Sequence, residues 1–195
     1  MGRVTSGLRR HLGRFWRGED AAIIAEAVIV LPLLIWAYIG LFVYWDAFRS
    51  LNTVQKAAYT VSDVLSRDLS HNGITSAYVD GLHKVVDYLI NHEQNSTMRV
   101  TSVYWSSGNN RFEVHWSRTT DDGSMPPLTT ATLQNYLGQI PTMNAGNTEV
   151  IVEVRVPYVP AFNVGLPNQV FSEFIVTRPR FQFCIIMDGI ACPVG

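Results

Sequence analysis

Few side chains in this sequence have both the type and the spacing to do chemistry. Cys184 and Cys192 stand eight positions apart. In an oxidising compartment such a pair reads as a disulfide. The loop it closes is short, so chain entropy gives it about 2.5 kcal/mol. A metal site would need further ligands, and no histidine lies beyond His115, so no metal is expected. His71, His83, His92 and His115 show no H-E-x-x-H or comparable spacing, and neither G-x-S-x-G nor a P-loop occurs. A non-enzymatic chain without a cofactor is the reading. Asp121-Asp122-Gly123-Ser124 begins like a calcium loop, but the remaining ligand positions of an EF-hand are missing, and it reads as a turn.

One carboxylate stands out. Glu26 is the acidic residue set in an otherwise apolar stretch, six positions before Pro32. A charge at mid-bilayer costs about 2.5–3.5 kcal/mol on insertion scales, so such a group usually has a partner and a role. Alternatively Glu26 marks the end of the span and reaches the headgroups. Pro32 cannot donate a backbone hydrogen bond, which leaves the Val28 carbonyl unpaired and predicts a kink or local unwinding. Whether that weak point has a role stays open.

The element that holds Glu26 is a membrane span. Only 16% of the chain is charged, against about a quarter in soluble domains, and part of that deficit is local. Ala27 to Trp45 contains no Asp, Glu, Lys or Arg. At about 1.5 Å per residue this run approaches the ~30 Å of a hydrocarbon core. It ends in Phe42-Val43-Tyr44-Trp45-Asp46, an interfacial aromatic belt rather than the small-residue end of a cleaved secretory signal. Arg3, Arg9, Arg10, Arg14 and Arg17 precede it, opposed only by Glu19 and Asp20. Arginines so close to a span stay cytoplasmic; directly before an apolar run they signal topology rather than nucleic-acid binding. The expected layout is a basic leader over 1–21, a transmembrane helix over 22–45 and an exported domain over 46–195.

Helical periodicity continues beyond the span. Phe48, Leu51, Val54, Ala58, Val61, Leu65 and Leu69 recur at steps of three or four, which predicts one helix from about Ala21 to Ser70. It breaks at His71-Asn72-Gly73. A second helix is predicted from about Thr75 to Asn91, with Ile74, Tyr78, Leu82, Val85, Val86 and Leu89 on its apolar face and Gly81 as a weak point. The period then shifts to two. Met98–Trp105 and Phe112–Trp116 read as a hairpin around 106–110. Residues 119–128 read as a loop, followed by a short helix from Thr130 to Leu137. In 148–156, Val150, Val152, Val154 and Val156 alternate with Glu149, Ile151, Glu153 and Arg155, as in an antiparallel sheet with one covered face. A last strand from Phe174 to Ile186 is interrupted by Pro179, which implies an edge or a bulge. The fold class is therefore α+β: a long N-terminal helix, half transmembrane and half amphipathic, packed on an antiparallel sheet of about four strands.

Residues 14–34, RFWRGEDAAIIAEAVIVLPLL, resemble the N-terminus of TadE-like minor pseudopilins of the tight adherence (Tad/Flp) type IV pilus systems. The shared features are a basic leader, a small-residue stretch, a Glu at the fifth mature position and an apolar span opening Leu-Pro-Leu-Leu. Val156-Pro157-Tyr158 and Arg178-Pro179-Arg180 are also similar to that family. The resemblance is strong over about 40 N-terminal residues. It implies a pilin-like fold and a prepilin peptidase cut between Ala21 and Ala22. It also implies pairing of the new amine with Glu26 of a neighbouring subunit, since a carboxylate and an ammonium desolvated together cost less than either alone. Ala21 stands where the family has Gly, and Ala27 where it has an aromatic. The implied setting is a bacterial inner membrane, the leader cytoplasmic and the domain periplasmic. The implied partners are other pseudopilins, the pilus-assembly platform, the peptidase and the lipid bilayer. A static single-pass protein whose domain binds a ligand or partner is the alternative.

Overall fold

The computed structural model describes residues 19–70, 73–90, 95–121 and 123–193, with side chains from Ile23 onward. The leader arginines, His71, Asn72, Asn91, His92 and Asp122 lie outside the described residues, as do the side chains of Ala21 and Ala22. The chain divides into two compact units. One holds residues 1–46 with Pro160–Leu166; the other holds Ala47–Val159 with Pro167–Gly195.

The first helix, α1, spans Glu19–Ser66. In the second unit its buried side chains are Val54, Ala57, Ala58, Val61, Ser62, Leu65 and Ser66. Phe48 and Leu69, expected on the same stripe, are exposed. Helix geometry explains Phe48. Two successive steps of three, 48 to 51 to 54, turn about 120° away from Val54 because the helix needs 3.6 residues per turn. The helix also stops short of Ser70. The Ser66 carbonyl accepts from the Arg180 N–H at 2.8 Å, while the Ser70 N–H turns to Asp68 Oδ1 at 3.3 Å. The bond that would have extended the helix is thus replaced at both ends.

The second helix, α2, covers Ser76–Leu89 and begins at Thr75, whose side chain accepts from the Tyr78 N–H. It buries Val79, Leu82 and Val86; the expected Tyr78, Val85 and Leu89 stay on its open side.

Strands β1 (Thr97–Ser106), β2 (Arg111–Thr119), β3 (Thr148–Tyr158) and β4 (Gln169–Thr177) form one antiparallel sheet in the order β2-β1-β3-β4. The pairs Met98↔Val154 and Val100↔Val152 lie on the face packed by α1. The other face is not open, contrary to the pattern of alternation. Val103, Phe112 and Ile151 meet Leu128, Leu133 and Ile140 from the β2–β3 connection in a second core cluster. That connection carries α3 (Thr130–Leu133), opened by a capping box of Thr129 and Thr132, and a 3-10 helix over Gln134–Gln139. The polar-looking positions of β3 are consequently buried: Glu149 is 8% exposed and Glu153 3%.

Arg99 resolves half of that difficulty. Its Nε donates to Glu153 Oε2 at 2.6 Å, its Nη2 to Oε1 at 2.8 Å and its Nη1 to the Pro126 carbonyl at 2.5 Å. The bidentate pair is fully hydrogen-bonded, the condition under which a buried ion pair is tolerated. Tyr136 lies under the guanidinium and stacks on Phe174 with centroids 5.5 Å apart. Glu149 has no such partner: Oε2 is buried without a hydrogen bond, and burial pushes its carboxyl above the usual range.

The last strand also departs from expectation. β4 begins at Gln169, ahead of Phe174, and ends at Thr177, ahead of Pro179. It is an edge strand. Pro179 has no N–H to continue a ladder, and the next N–H, from Arg180, is taken by α1. Residues 178–193 run on as irregular chain.

Candidate functional site

The candidate site in the first unit is the apolar length of α1. It is a single helix long and apolar enough to cross a membrane. Every side chain from Ile23 to Tyr38 is exposed; Ile39, Gly40, Val43 and Asp46 are covered to differing degrees, with Val43 down to 1%. Glu26 lies in the exposed stretch between Ile23, Ile24, Val28 and Ile29. Among the described residues no side chain pairs with it. A carboxylate ringed by apolar groups is stabilised by headgroups, by water or by a cation. α1 runs through Pro32 as unbroken helix, so the local unwinding expected there does not occur. The backbone at Ala21 and Ala22 is helical as well.

In the second unit the cysteines come together. Cys184 and Cys192 are bonded with Cα atoms 6.0 Å apart, within the range a disulfide spans. Sequence periodicity misses what surrounds them, because residues 178–192 are held through backbone groups as well as through the side chains of Arg178, Gln182 and Asp188. The Thr148 hydroxyl donates to the Phe183 carbonyl at 2.6 Å and Trp116 Nε1 to the Ile185 carbonyl at 2.8 Å. The Ile74 N–H donates to the Ile186 carbonyl at 2.8 Å, and the Asp188 N–H returns to the Ile74 carbonyl at 3.0 Å. His115 Nε2 lies 2.8 Å from the Ala191 carbonyl; burial holds its pKa below the ordinary 6.5 despite that bond. Asp188 takes hydrogen bonds from the side chain and N–H of Ser76. These lower its pKa, the side-chain bond most.

Gly73 makes this crossing possible. It has φ +80°, and a Cβ there would stand 2.4 Å from the Ile186 oxygen. A hollow of about 320 Å³ remains beside the disulfide, lined by Leu69, Phe181, Phe183, Cys184, Ile186 and Cys192. Phe181 and Phe183 are both more than 60% exposed. The usable signal in the sequence was Trp116: a large indole at a strand position needs a partner for its N–H.

One cluster has the residue types of a hydrolase triad. His83 Nε2 lies 2.8 Å from Ser96 Oγ and 3.0 Å from the Ser96 carbonyl, and Asp87 accepts the Ser96 hydroxyl. A working triad places serine on one ring nitrogen and carboxylate on the other, with the serine proton shared with the ring. Here both contacts fall on Nε2, and the serine proton belongs to Asp87. The cluster ties α2 to the start of β1 instead of activating an oxygen. Asp121 is likewise committed to its own turn, with Oδ1 accepting from the Gly123 N–H at 3.0 Å and Oδ2 from Ser124 Oγ at 2.6 Å. Among the described residues no group of three or more His, Cys, Asp or Glu side chains is placed to hold a metal.

No family model, characterised protein or solved structure matches the chain.

Proposed function

We propose that this chain is a TadE-like minor pseudopilin that acts in assembling or priming a Tad-type adhesive pilus. The supporting observation is the division of α1: its first part presents apolar side chains to the surroundings, and its second part packs on an antiparallel sheet. A pilin-like subunit needs that combination, a span that can pass from lipid to a helical neighbour and a domain that stays outside. In this reading the arginine-rich leader is cytoplasmic, the domain periplasmic, and the Ala21–Ala22 junction is cut by a prepilin peptidase. Glu26 sets subunit registry through the amine so released, and Cys184–Cys192 closes the domain. The partners are other pseudopilins and the assembly platform.

The test is a deletion strain scored for pili and surface attachment, complemented with wild-type or Glu26→Ala protein. Glu26→Ala inserts as well as wild type or better, because it removes a charge from the span, and it fails to restore pili. Normal piliation by that variant removes the registry role. The mass of the chain recovered from membranes tests the junction separately, since a chain that keeps residues 1–21 has not been processed.

A second reading rests on the hollow beside the disulfide. An apolar concavity with two exposed phenylalanines suits a static, membrane-anchored domain that binds a ligand or partner. A deletion strain with unaltered pili and an unprocessed chain favours it.

A further inference from the structure

The connection between β3 and β4 is unusual in both composition and place. From Val156 to Ser172 the chain carries no acidic or basic side chain. The connection itself is the ten residues 159–168 of that run; a solvent-facing one has no physical reason to avoid charge, whereas a lipid-facing one does. The middle of the connection, Pro160–Leu166, is grouped with residues 1–46 and not with the strands it joins. It is the one segment outside 1–46 that this unit contains. Among the described side chains of the unit, α1 is covered only in its last turns, at Ile39, Gly40, Val43 and Asp46. The segment therefore belongs beside those turns, at the level of Phe42, Tyr44 and Trp45. There the apolar run ends and the headgroup region begins. Phe162 is 51% exposed, Ala161 is exposed too, and Gly165 turns the chain with φ +98°.

We infer that Pro160–Leu166 is a second membrane contact: an interfacial loop that inserts Phe162 into the outer boundary of the bilayer in which α1 is anchored. The occupant of this surface is lipid. An aromatic ring on a charge-free loop gains by leaving water at the headgroup boundary, as rings in aromatic belts do. The segment's backbone polar groups stay at a level where headgroups and water can satisfy them. Two attachments fix more than one does. A single helix lets a domain tilt and turn, whereas a helix with a loop beside it sets which side of the unit faces the membrane. The inference rests on α1 being a membrane span, but not on the pilus assignment.

The experiment uses the full chain in bilayer vesicles. The photoreactive residue p-benzoylphenylalanine replaces Phe162 in one protein, Tyr38 in a second and Asn109 at the exposed β1–β2 turn in a third. Lipid adducts are then read by mass spectrometry. The expected result is lipid adducts from positions 162 and 38 and their loss at position 109. Adducts from 38 without 162 overturn the loop contact and leave the span standing. Adducts from neither remove the span and the loop together. Crosslinks from 162 to a second copy of the chain in place of lipid overturn the inference by assigning the surface to that copy.

Discussion

The two parts of α1 share one helix and one apolar bias, yet they use it in opposite ways. Between Ile23 and Tyr38 every side chain is exposed, and apolar residues occur all round. Between Ala47 and Ser66 the buried positions recur as 54, 57, 58, 61, 62, 65 and 66, with Gln55, Lys56 and Thr60 between them. The lesson is that hydrophobic content separates these regions less well than its angular distribution does. A helix apolar all round must find an apolar medium, and one apolar on a stripe must find an apolar surface. Serine at 62 and 66 does not spoil the stripe, because a small side chain lets the backbone approach and Ser66 Oγ bonds back to the Asp63 carbonyl at 2.9 Å.

This contrast can be broken by experiment. The largest effect is expected at the sheet face opposite α1: Arg99→Ala strands Glu153 in the core, at a cost of about 3–5 kcal/mol. Replacing both partners by apolar residues of similar volume recovers most of that loss. Urea unfolding of the detergent-solubilised chain, followed by near-ultraviolet circular dichroism, measures both. Leu65→Ala comes next, at about 2–5 kcal/mol. Its counterpart Leu33→Ala, in the exposed part of the same helix, leaves domain unfolding unchanged. Equal losses from the two would end the division proposed for α1.

Removing the disulfide with Cys184→Ser and Cys192→Ser together costs about 2.5 kcal/mol or less, read in the same assay. Two titratable thiols in the native oxidised protein would contradict the bond itself. The smallest effect is one of pH. His115 binds a proton less readily folded than unfolded. Its contribution is therefore complete above the ordinary 6.5, and it declines as pH falls from there toward the lowered folded value. His115→Gln should flatten that segment of the stability profile. An unchanged slope would place the acid sensitivity elsewhere.

How much of this could be read in the sequence depends on whether the signal was local. The charge-free run, the alternation of Val150 to Val156 and the turn at Gly108 are properties of neighbouring residues, and each reappears in the fold. The covering of the second sheet face is not local. Glu153 looks solvent-facing until Arg99, 54 positions away, is brought opposite it. The end of α1 depends on Arg180, and the last strand stops early because the chain beyond Thr177 is drawn to Ser66, Ile74 and Trp116 by their hydrogen bonds. Backbone carbonyls carry no sequence signature, so a segment held through them reads as featureless. In the first unit, Glu26 is legible as an anomaly, and among the described residues no side chain pairs with it.

The way residues 178–192 are held has a consequence for how the protein is made. Thr148, Trp116, His115 and Ile74 all wait for acceptors that this stretch supplies, and the last of them, on Ala191, arrives after every helix and strand has been synthesised. The domain cannot lock while it is being synthesised; it stays open until residues near 191 have been made as well. Whatever shields its half-built sheet in that interval has to act before the cysteines meet.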